Sequence, residues 1–532
     1  MIRPRSDLGG VPEHGGLYVQ FAERLDPGQN VRLHALHRAL LADLPDGVND
    51  LSPGYVNLYV DFDARLISAG AVRAWVRRHL TGAGELPVRP GGRLLHLPVR
   101  YDGADLDDVA ARTGLSRAEV IRRHAAPEYQ VYAVGFTPGF PFLGEVDERL
   151  RLPRRATPRN VVAFNAVAIA NAQSCVYTLP SPGGWNLLGT LLTTVYDPNR
   201  EEPFLISPGD RVRFVPQEGQ TPPLPEVRRL WPLGPRLPAL RVEAPGLLDL
   251  VQDAGRFRQA HFGLARSGPL DERSAHFANR LVGNEPGTPL LELTLKGPVL
   301  TALRDVVLAV AGFGMRPVGL PMQQSFRLRA GETLRFASIQ RGARAYLAVS
   351  GGLETAPFLG SGSVDLLGRV GRPLRAGDVL GVAGAGHARP GFASRPLWLP
   401  DPLVLRLLPG PQATREALEA LGGAPFEVTG LDRMGLRLGG PQVPGGQMIS
   451  EGTPAGAVQV TPGGEPIVLL NDRGRIGGYS KPAVIHPHDL PLASQIRPGQ
   501  RVTFRPDLSG SPEDWVRRWN IDATWPGPGG RH

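Results

Sequence analysis

The sequence predicts a mainly β protein with an α/β N-terminal part: a small α/β domain followed by three β-barrel domains. Three observations carry this. First, Gly 67 and Pro 54 in 532 residues are high. No collagen period appears and apolar runs persist, so the excess belongs to turns between many short strands. Second, one strand ending recurs. Ser207-Pro-Gly-Asp-Arg-Val-Arg-Phe214, Arg329-Ala-Gly-Glu-Thr-Leu-Arg-Phe336 and Arg497-Pro-Gly-Gln-Arg-Val-Thr-Phe504 share a glycine turn and an alternating strand, and Arg375-Ala-Gly-Asp-Val-Leu380 is a shorter version. Leu293-Thr-Leu-Lys-Gly-Pro298 also echoes Leu436-Arg-Leu-Gly-Gly-Pro441. Gln173 followed by Ser181-Pro-Gly-Gly184 echoes Gln459 followed by Thr461-Pro-Gly-Gly464. Self-similarity without a short period points to duplicated β-domains rather than a solenoid. Third, residues 11–95 mix alternating strands with helical periodicity.

In chain order, Leu17-Tyr-Val-Gln-Phe21 and residues 56–62 alternate like strands. Between them, residues 30–41 set Val31, Leu33, Ala35, Leu36, Leu40 and Leu41 near one helical face, and residues 71–80 read as a second helix. His34 and His37 sit three apart, a spacing that two metal ligands can use. With no carboxylate or cysteine nearby they read as exposed helix histidines. Leu94-Leu-His-Leu-Pro-Val99 opens the first barrel, residues 96–215. Helices capped by Asp105 and Ser116 follow, the latter with Glu119 as a capping box. Pro216 to Pro238 holds seven prolines and reads as a stiff, extended linker. The remaining divisions are 239–395, 396–506 and a tail, 507–532, in which residues 513–520 suggest a short docked helix before disordered last residues.

Composition narrows the function classes. The net charge is +9, but the arginines are scattered and no nucleic-acid module is visible, so no nucleic-acid partner is expected. No apolar run approaches the ~20 residues of a membrane span, and no signal core follows Met1. The single Cys175 excludes an intramolecular disulfide framework, fits a reducing cytoplasm, and reads as a buried small hydrophobe. Of the 59 basic residues only Lys296 and Lys481 are lysine. His486-Pro-His488-Asp489 has ligand-like residues but no second cluster to complete a shell, so no metal is expected.

The densest stretch of Gly, Pro and aromatic residues runs from Gly135 to Gly189. It opens with Gly135-Phe-Thr-Pro-Gly-Phe-Pro-Phe-Leu-Gly144. It passes the basic loop Arg151-Leu-Pro-Arg-Arg-Ala-Thr-Pro-Arg159 and closes with Ser181-Pro-Gly-Gly-Trp-Asn-Leu-Leu-Gly189. Rigid loops carrying aromatics read as a ligand-facing surface, with Phe136, Pro138, Phe140, Arg159, Gln173, Ser181, Gly183, Gly184 and Trp185 as candidates.

The two end loops resemble those of the Kip-type, or allophanate hydrolase subunit 1-like, family, which includes the B component of 5-oxoprolinase. Beyond the linker, Gly246-Leu-Leu-Asp-Leu-Val-Gln-Asp-Ala-Gly-Arg256, Ser267-Gly-Pro-Leu-Asp271, Ala278-Asn-Arg-Leu-Val-Gly-Asn284, Asp432-Arg-Met-Gly-Leu-Arg-Leu438 and Gly477-Gly-Tyr-Ser-Lys481 resemble its partner, the C component. The chain thus resembles a fusion of the two components over roughly residues 11–506. The same pair of modules forms the carboxyltransferase part of urea carboxylase. The resemblance implies that the barrels are cyclophilin-like. Departures from the family pattern fall at Ala163-Phe-Asn-Ala166, Asn171, Thr190 and Gly362.

The resemblance implies a component of an ATP-dependent 5-oxoprolinase, working with a separate A component to open a lactam to glutamate. Mg-bound ATP would be the cofactor. No P-loop is present, because neither lysine follows the Gly-x-x-x-x-Gly pattern. Any nucleotide would therefore use Arg433, Asp472, Arg473 and Lys481, with Glu451, Gln459 and Tyr479 beside them. Lys481 stands out because a compact ammonium can carry a proton or act as a point charge where a guanidinium cannot. Two alternatives remain. One is a carboxyltransferase component of a biotin-dependent urea or amide carboxylase, with biotin as the cofactor seated on the aromatic loops. The other is a regulatory protein that inhibits a sensor histidine kinase. Homo-oligomerisation stays open.

Overall fold

The computed structural model describes residues 15–82, 92–338 and 341–523. The N-terminal alternation yields the expected strands: Gly16–Gln20 pairs antiparallel with Asn57–Phe62, which pairs with Val48–Pro53. Helices Pro27–Ala42 and Ala69–Gly82 pack beside them, and Leu33, Leu36, Leu40, Val72 and Trp75 join the strand residues in one core. The fourth strand comes from the far end of the chain, because Asn520–Asp522 lies parallel to Gly16–Gln20. It follows the tail helix Pro512–Trp519, capped by Ser511, with Trp515 and Trp519 buried. The last residues expected to be disordered, 524–532, lie outside the described residues.

His34 and His37 are not exposed. The first helix packs on its own sheet and also on the first barrel, so it has two buried faces where the periodicity shows one. His34 Nε2 lies 3.1 Å from the Tyr132 carbonyl oxygen, and the His37 ring sits 5.2 Å from that of His261. Burial pushes His34 down to about 4.

Seven strands close the first barrel: Leu94–Arg100, Tyr129–Val134, Pro141–Gly144, Ala166–Ala170, Gln173–Val176, Asn186–Leu191 and Arg211–Pro216. Neighbours run first, seventh, second, third, fifth, fourth, sixth and back to the first. The last barrel uses Val404–Pro409, Phe426–Leu431, Gly435–Gly439, Ala457–Val460, Pro466–Leu469, Ile476–Ile485 and Arg501–Pro506 in the same circular order, closed by the first and sixth strands. In both, the seventh strand is parallel to the first and antiparallel to the second. The echo of residues 207–214 in 497–504 therefore marks one topological place. Its alternation sends Val212 and Phe214, and Val502 and Phe504, into the two cores. The Gln173 and Gln459 echo does not. Gln173 starts a fifth strand and Gln459 lies on a fourth, so that likeness is shared turn chemistry alone.

Between the barrels, a four-stranded sheet led by Pro238–Ala244 and a five-stranded sheet that includes Leu290–Thr294 and Arg344–Val349 pack around one core. Here the ring is two sheets. The turns at Arg329 and Arg375 feed Thr333–Leu334 and Val379–Gly381, which form the two edges of the four-stranded sheet. The proline-rich segment carries no helix, but it is fastened. Leu230 and Trp231 are buried in the middle core, and Arg369 Nε donates to the Pro225 carbonyl at 2.8 Å. The first barrel reaches the same core through Phe204, which stacks on Phe262 at 4.3 Å and 2°. Among the described residues no helix is long and apolar enough to cross a membrane.

Candidate functional site

The loops of residues 135–189 gather a wall of rings. Phe140, Phe142, Tyr177 and Trp185 pack with Tyr55 and Tyr132 from elsewhere in the chain. Phe140 meets Tyr177 edge-on at 5.2 Å and 90°, and lies 4.9 Å from Phe142. Phe136 takes a positive φ of 67°, is 38% exposed, and sets its ring 5.3 Å from Phe140. The buried Pro138 offers its carbonyl to Thr178 Oγ1 at 2.7 Å. Gly183 is required sterically, since a Cβ there would lie 2.1 Å from the Tyr177 hydroxyl oxygen; at Gly184 it would make only ordinary contact with Pro158 at 3.6 Å. Gln173 Oε1 accepts from the Tyr55 hydroxyl at 3.2 Å. The buried Ser181 Oγ has no hydrogen-bond partner among the described residues.

The basic loop is held by a residue that the sequence marks only as a helix cap. Asp105 makes no side-chain cap bond. Its Oδ1 accepts from Arg155 at 2.8 Å and Arg159 at 2.7 Å, and its Oδ2 accepts from the Leu187 backbone N–H at 2.8 Å. One carboxylate thus ties the basic loop to the closing loop, while Arg154 lies 5.9 Å over the Trp185 ring. No local pattern could have revealed this, because the partners are 50 to 82 residues away. The departing positions are absorbed into the fold. Asn165 Nδ2 donates to the Leu191 and Thr193 carbonyls, Asn171 takes a φ of 53°, Thr190 Oγ1 donates to Asp102 at 2.8 Å, and the Gly362 N–H donates to Asp253.

In the last barrel Lys481 is fully buried. Its Nζ lies 3.0 Å from Glu451 Oε1 and donates to the Tyr479 carbonyl at 3.2 Å and to Met448 Sδ at 3.6 Å. Glu451 also accepts from Gln412 Nε2 at 2.9 Å and from Asn57 Nδ2 at 2.8 Å. Nothing in the sequence pattern singles out Gln412 or Asn57. The Lys481 ammonium therefore has an internal acceptor for each of its three protons. Lys296 is exposed, as the strand alternation suggests.

The other three candidates form interfaces between units. Arg433 Nε and Nη2 bind Asp472 at 2.7 and 3.1 Å, Nη2 donates to the Gly268 carbonyl at 2.7 Å, and Nη1 reaches Glu292, whose other close cation is Arg344. Burial opposes the Arg433 charge, but Asp472 and Glu292 hold its pKa above the ordinary value. Arg473 Nε donates to the Thr453 carbonyl at 2.8 Å, and its guanidinium lies 3.6 Å from Asp61 of the N-terminal sheet; burial, then Arg475, pushes it down to about 10. Arg475 similarly faces Asp50 at 3.7 Å.

A small hollow of about 210 Å³ is lined by Gln459, Arg473, Thr453, Ile476 and Gly477. The two half-sites approach each other at the turn before Asn57–Phe62. Tyr55 joins the ring wall, Asn57 binds Glu451, and a Cβ on Gly54 would lie 3.4 Å from the Glu451 Cα. A nucleoside triphosphate does not fit the last-barrel residues expected to bind it. Their cations are spent on protein acceptors, and the hollow is below the ~300–1,000 Å³ of drug-sized sites.

Comparison with known proteins places these halves. Residues 13–206 match the family described as carboxyltransferase domain, subdomain C and D, and residues 262–506 match carboxyltransferase domain, subdomain A and B. The B component of 5-oxoprolinase from Escherichia coli O157:H7 is 48% identical over 134 residues, 25% of this chain and 62% of that protein, so the chain spans about three-fifths of that relative. The C component of 5-oxoprolinase from Escherichia coli K12 is 34% identical over 284 residues, 50% of this chain and 90% of that protein. The urea amidolyase of Lachancea kluyveri is 31% identical over 309 residues, 50% of this chain and 17% of that protein. The crystal structure of TTHA0988 superposes with a TM-score of 0.88 at 54% identity, covering 92% of this chain and 99% of that one. The chain therefore belongs to the carboxyltransferase-domain family, with a half like the B component of 5-oxoprolinase fused ahead of a half like the C component.

Proposed function

We propose that the chain is the fused B and C component of an ATP-dependent 5-oxoprolinase and acts with a separate A component to open 5-oxoproline to glutamate. The observation that carries this reading is the pairing in one chain of a half similar to the B component of 5-oxoprolinase with a half similar to the C component. The scale of the hollow at Gln459 supports it, since about 210 Å³ suits a substrate of few heavy atoms. A lactam presents an amide N–H beside a carbonyl, and the Gln459 side-chain amide offers the matching acceptor and donor. ATP, when bound, supplies the phosphoryl group that makes a stable lactam electrophilic. Glu451 stands opposite Gly477 of this wall, and its dehydrated ion pair with Lys481 fastens the two strands in register.

The test is glutamate release from 5-oxoproline and Mg-ATP by the purified chain, with and without the A component. We expect little or none alone and robust release with the partner. Full activity alone would refute the need for the A component, and inactivity with it would refute the substrate. A second reading has support from the similarity to urea amidolyase over half the chain. In it the chain passes a carboxyl group between a biotin carrier and urea or an amide, with the ureido ring seated on Trp185 and Phe140. Carboxyl transfer from carboxybiotin to urea, with no A component present, would put this reading first.

A further inference from the structure

We propose that a second, larger cleft binds a nucleoside polyphosphate through Arg273 and Arg280. The cleft has a volume of about 1320 Å³ and lies where the N-terminal sheet, the helix Glu272–Leu281 and the last barrel meet. The helix presents Arg273, His276, Phe277 and Arg280 to it, an i, i+3, i+4, i+7 set on one face. Ala275, Ala278, Asn279 and Leu281 are buried on the other side, so the direction of this face is set by packing.

Most charges in the cleft are already paired. Arg65 is bound by Asp63, Arg266 lies 3.1 Å from Glu272, and Arg406 is bound by Asp489. Arg273 and Arg280 have no ion-pair partner among the described residues. Arg273 Nε and Nη2 are moreover buried without any hydrogen-bond partner. A buried donor left unmade costs about 1–3 kcal/mol, and more when charged. A guanidinium with no carboxylate partner can turn toward an anion that enters the cleft, and its fork matches phosphate oxygens in pairs.

The spacing selects the class of anion. Two positions seven residues apart on a helix are separated by about 10 Å along its axis. A polyphosphate chain, with charged groups spread along its length, can engage both guanidinium groups at once, which a single phosphate does only if both side chains converge on it. Phe277 and Leu490 add apolar wall for a base. Naming the nucleotide as ATP rests on the proposed oxoprolinase reading, but the polyanion affinity of the cleft does not.

The experiment is calorimetric titration of the full chain with Mg-ATP, Mg-ADP and inorganic phosphate, for the native protein and for Arg273→Ala, Arg273→Lys, Arg280→Ala and, as a control, Lys296→Ala. Expected are measurable ATP binding, at least tenfold weaker binding in each alanine variant, partial loss in Arg273→Lys, no change in Lys296→Ala, and far weaker binding of phosphate. If Arg273→Ala does not fold, the exposed Arg280 decides the matter. Absence of ATP binding, or binding unchanged in the arginine variants, overturns the proposal. Binding lost in the variants, with no glutamate release when the A component is present, keeps the cleft and removes the oxoprolinase reading. Glutamate release with binding indifferent to both arginines does the reverse.

Discussion

The two closed barrels are built on one circular strand order and use it for opposite purposes. Around the first, glycines and rings leave polar capacity unspent. Ser181 Oγ is buried without a partner among the described residues, Phe136 is exposed, and Arg154 lies over an indole. Around the last, nearly every charge is consumed. Lys481, Glu451, Arg433 and Asp472 each bind protein atoms, and Arg433 fastens the barrel to Glu292 of the middle unit. Topology alone therefore does not mark a ligand site. What distinguishes the faces is whether their polar groups are satisfied within the fold.

The sharpest way to break this contrast is Arg433→Leu. It leaves Glu292 and Asp472 buried without their shared cation, and removing one member of such a pair costs about 3–5 kcal/mol. Urea denaturation should show a loss of that size. A loss below about 1 kcal/mol would mean that the network is not structural and that Arg433 is free for chemistry after all.

Lys481 is the intermediate case, because it is saturated and yet shares a strand with Ile476 and Gly477, which line the small hollow. With the partner that restores activity, Lys481→Arg should lower the rate on the order of a hundredfold, because a guanidinium cannot take the place of the fully buried ammonium without displacing Glu451 and the strand that carries Gly477, and a shift of about 1 Å costs that much. Lys296→Arg, at an exposed position, should match the native protein. Native activity in a folded Lys481→Arg, with an unchanged melting temperature, would remove the lysine from the site and leave it as packing.

These residues also show what the sequence could and could not reveal. The closing strand of each barrel was legible because its turn, its alternation and its buried Val and Phe sit within eight consecutive residues. The ring wall was legible from the density of glycine and aromatics. Asp105, Glu292, Asn57 and Gln412 were not, because each acts through partners remote in sequence, with Asn57 and Glu451 394 positions apart. Arg433, Asp472 and Arg473 look like an active-site cluster in one dimension, and only the fold supplies the carboxylates and carbonyls that occupy them. The large cleft was invisible for the same reason, since three separate units build it.

Acid should separate the two halves with opposite sign. Burial pushes His34 to about 4, His124 to about 3 and His261, which packs on His37, to about 4. Below pH 6.5 the unfolded chain gains these protons and the folded chain does not. Stability is therefore lost from about pH 6.5 down to about pH 4 for His34 and His261 and about pH 3 for His124, by roughly 1.4 kcal/mol per unit for each histidine. In the middle unit, burial raises Asp249 and Asp365 to about 6. Their contribution is complete below the unfolded value near 3.8 and is lost as pH rises through about 6. Hydrogen exchange at pH 7 and pH 4.5 should show protection falling around His34 and His124 while the strands carrying Asp249 hold or gain. Parallel losses in both regions would defeat the contrast.

The smallest expected effect on stability tests the contrast most directly. Ser181→Ala removes a buried hydroxyl that bonds nothing among the described residues, and the alanine leaves no desolvated oxygen behind. Most buried polar deletions destabilise, but this one should leave the melting temperature unchanged or raise it, because the native state already bears the cost of an unmade hydrogen bond. If the hydroxyl is instead kept for a ligand, the same change should raise KM for the substrate while kcat changes less, since an interaction made equally in the ground and transition states is lost. A protein needs a reason to retain an unsatisfied group. A variant that loses stability by about 1 kcal/mol or more, with KM unaltered, would show that Ser181 is bonded within the fold, and the polar groups around the first barrel would then be as fully engaged as those around the last.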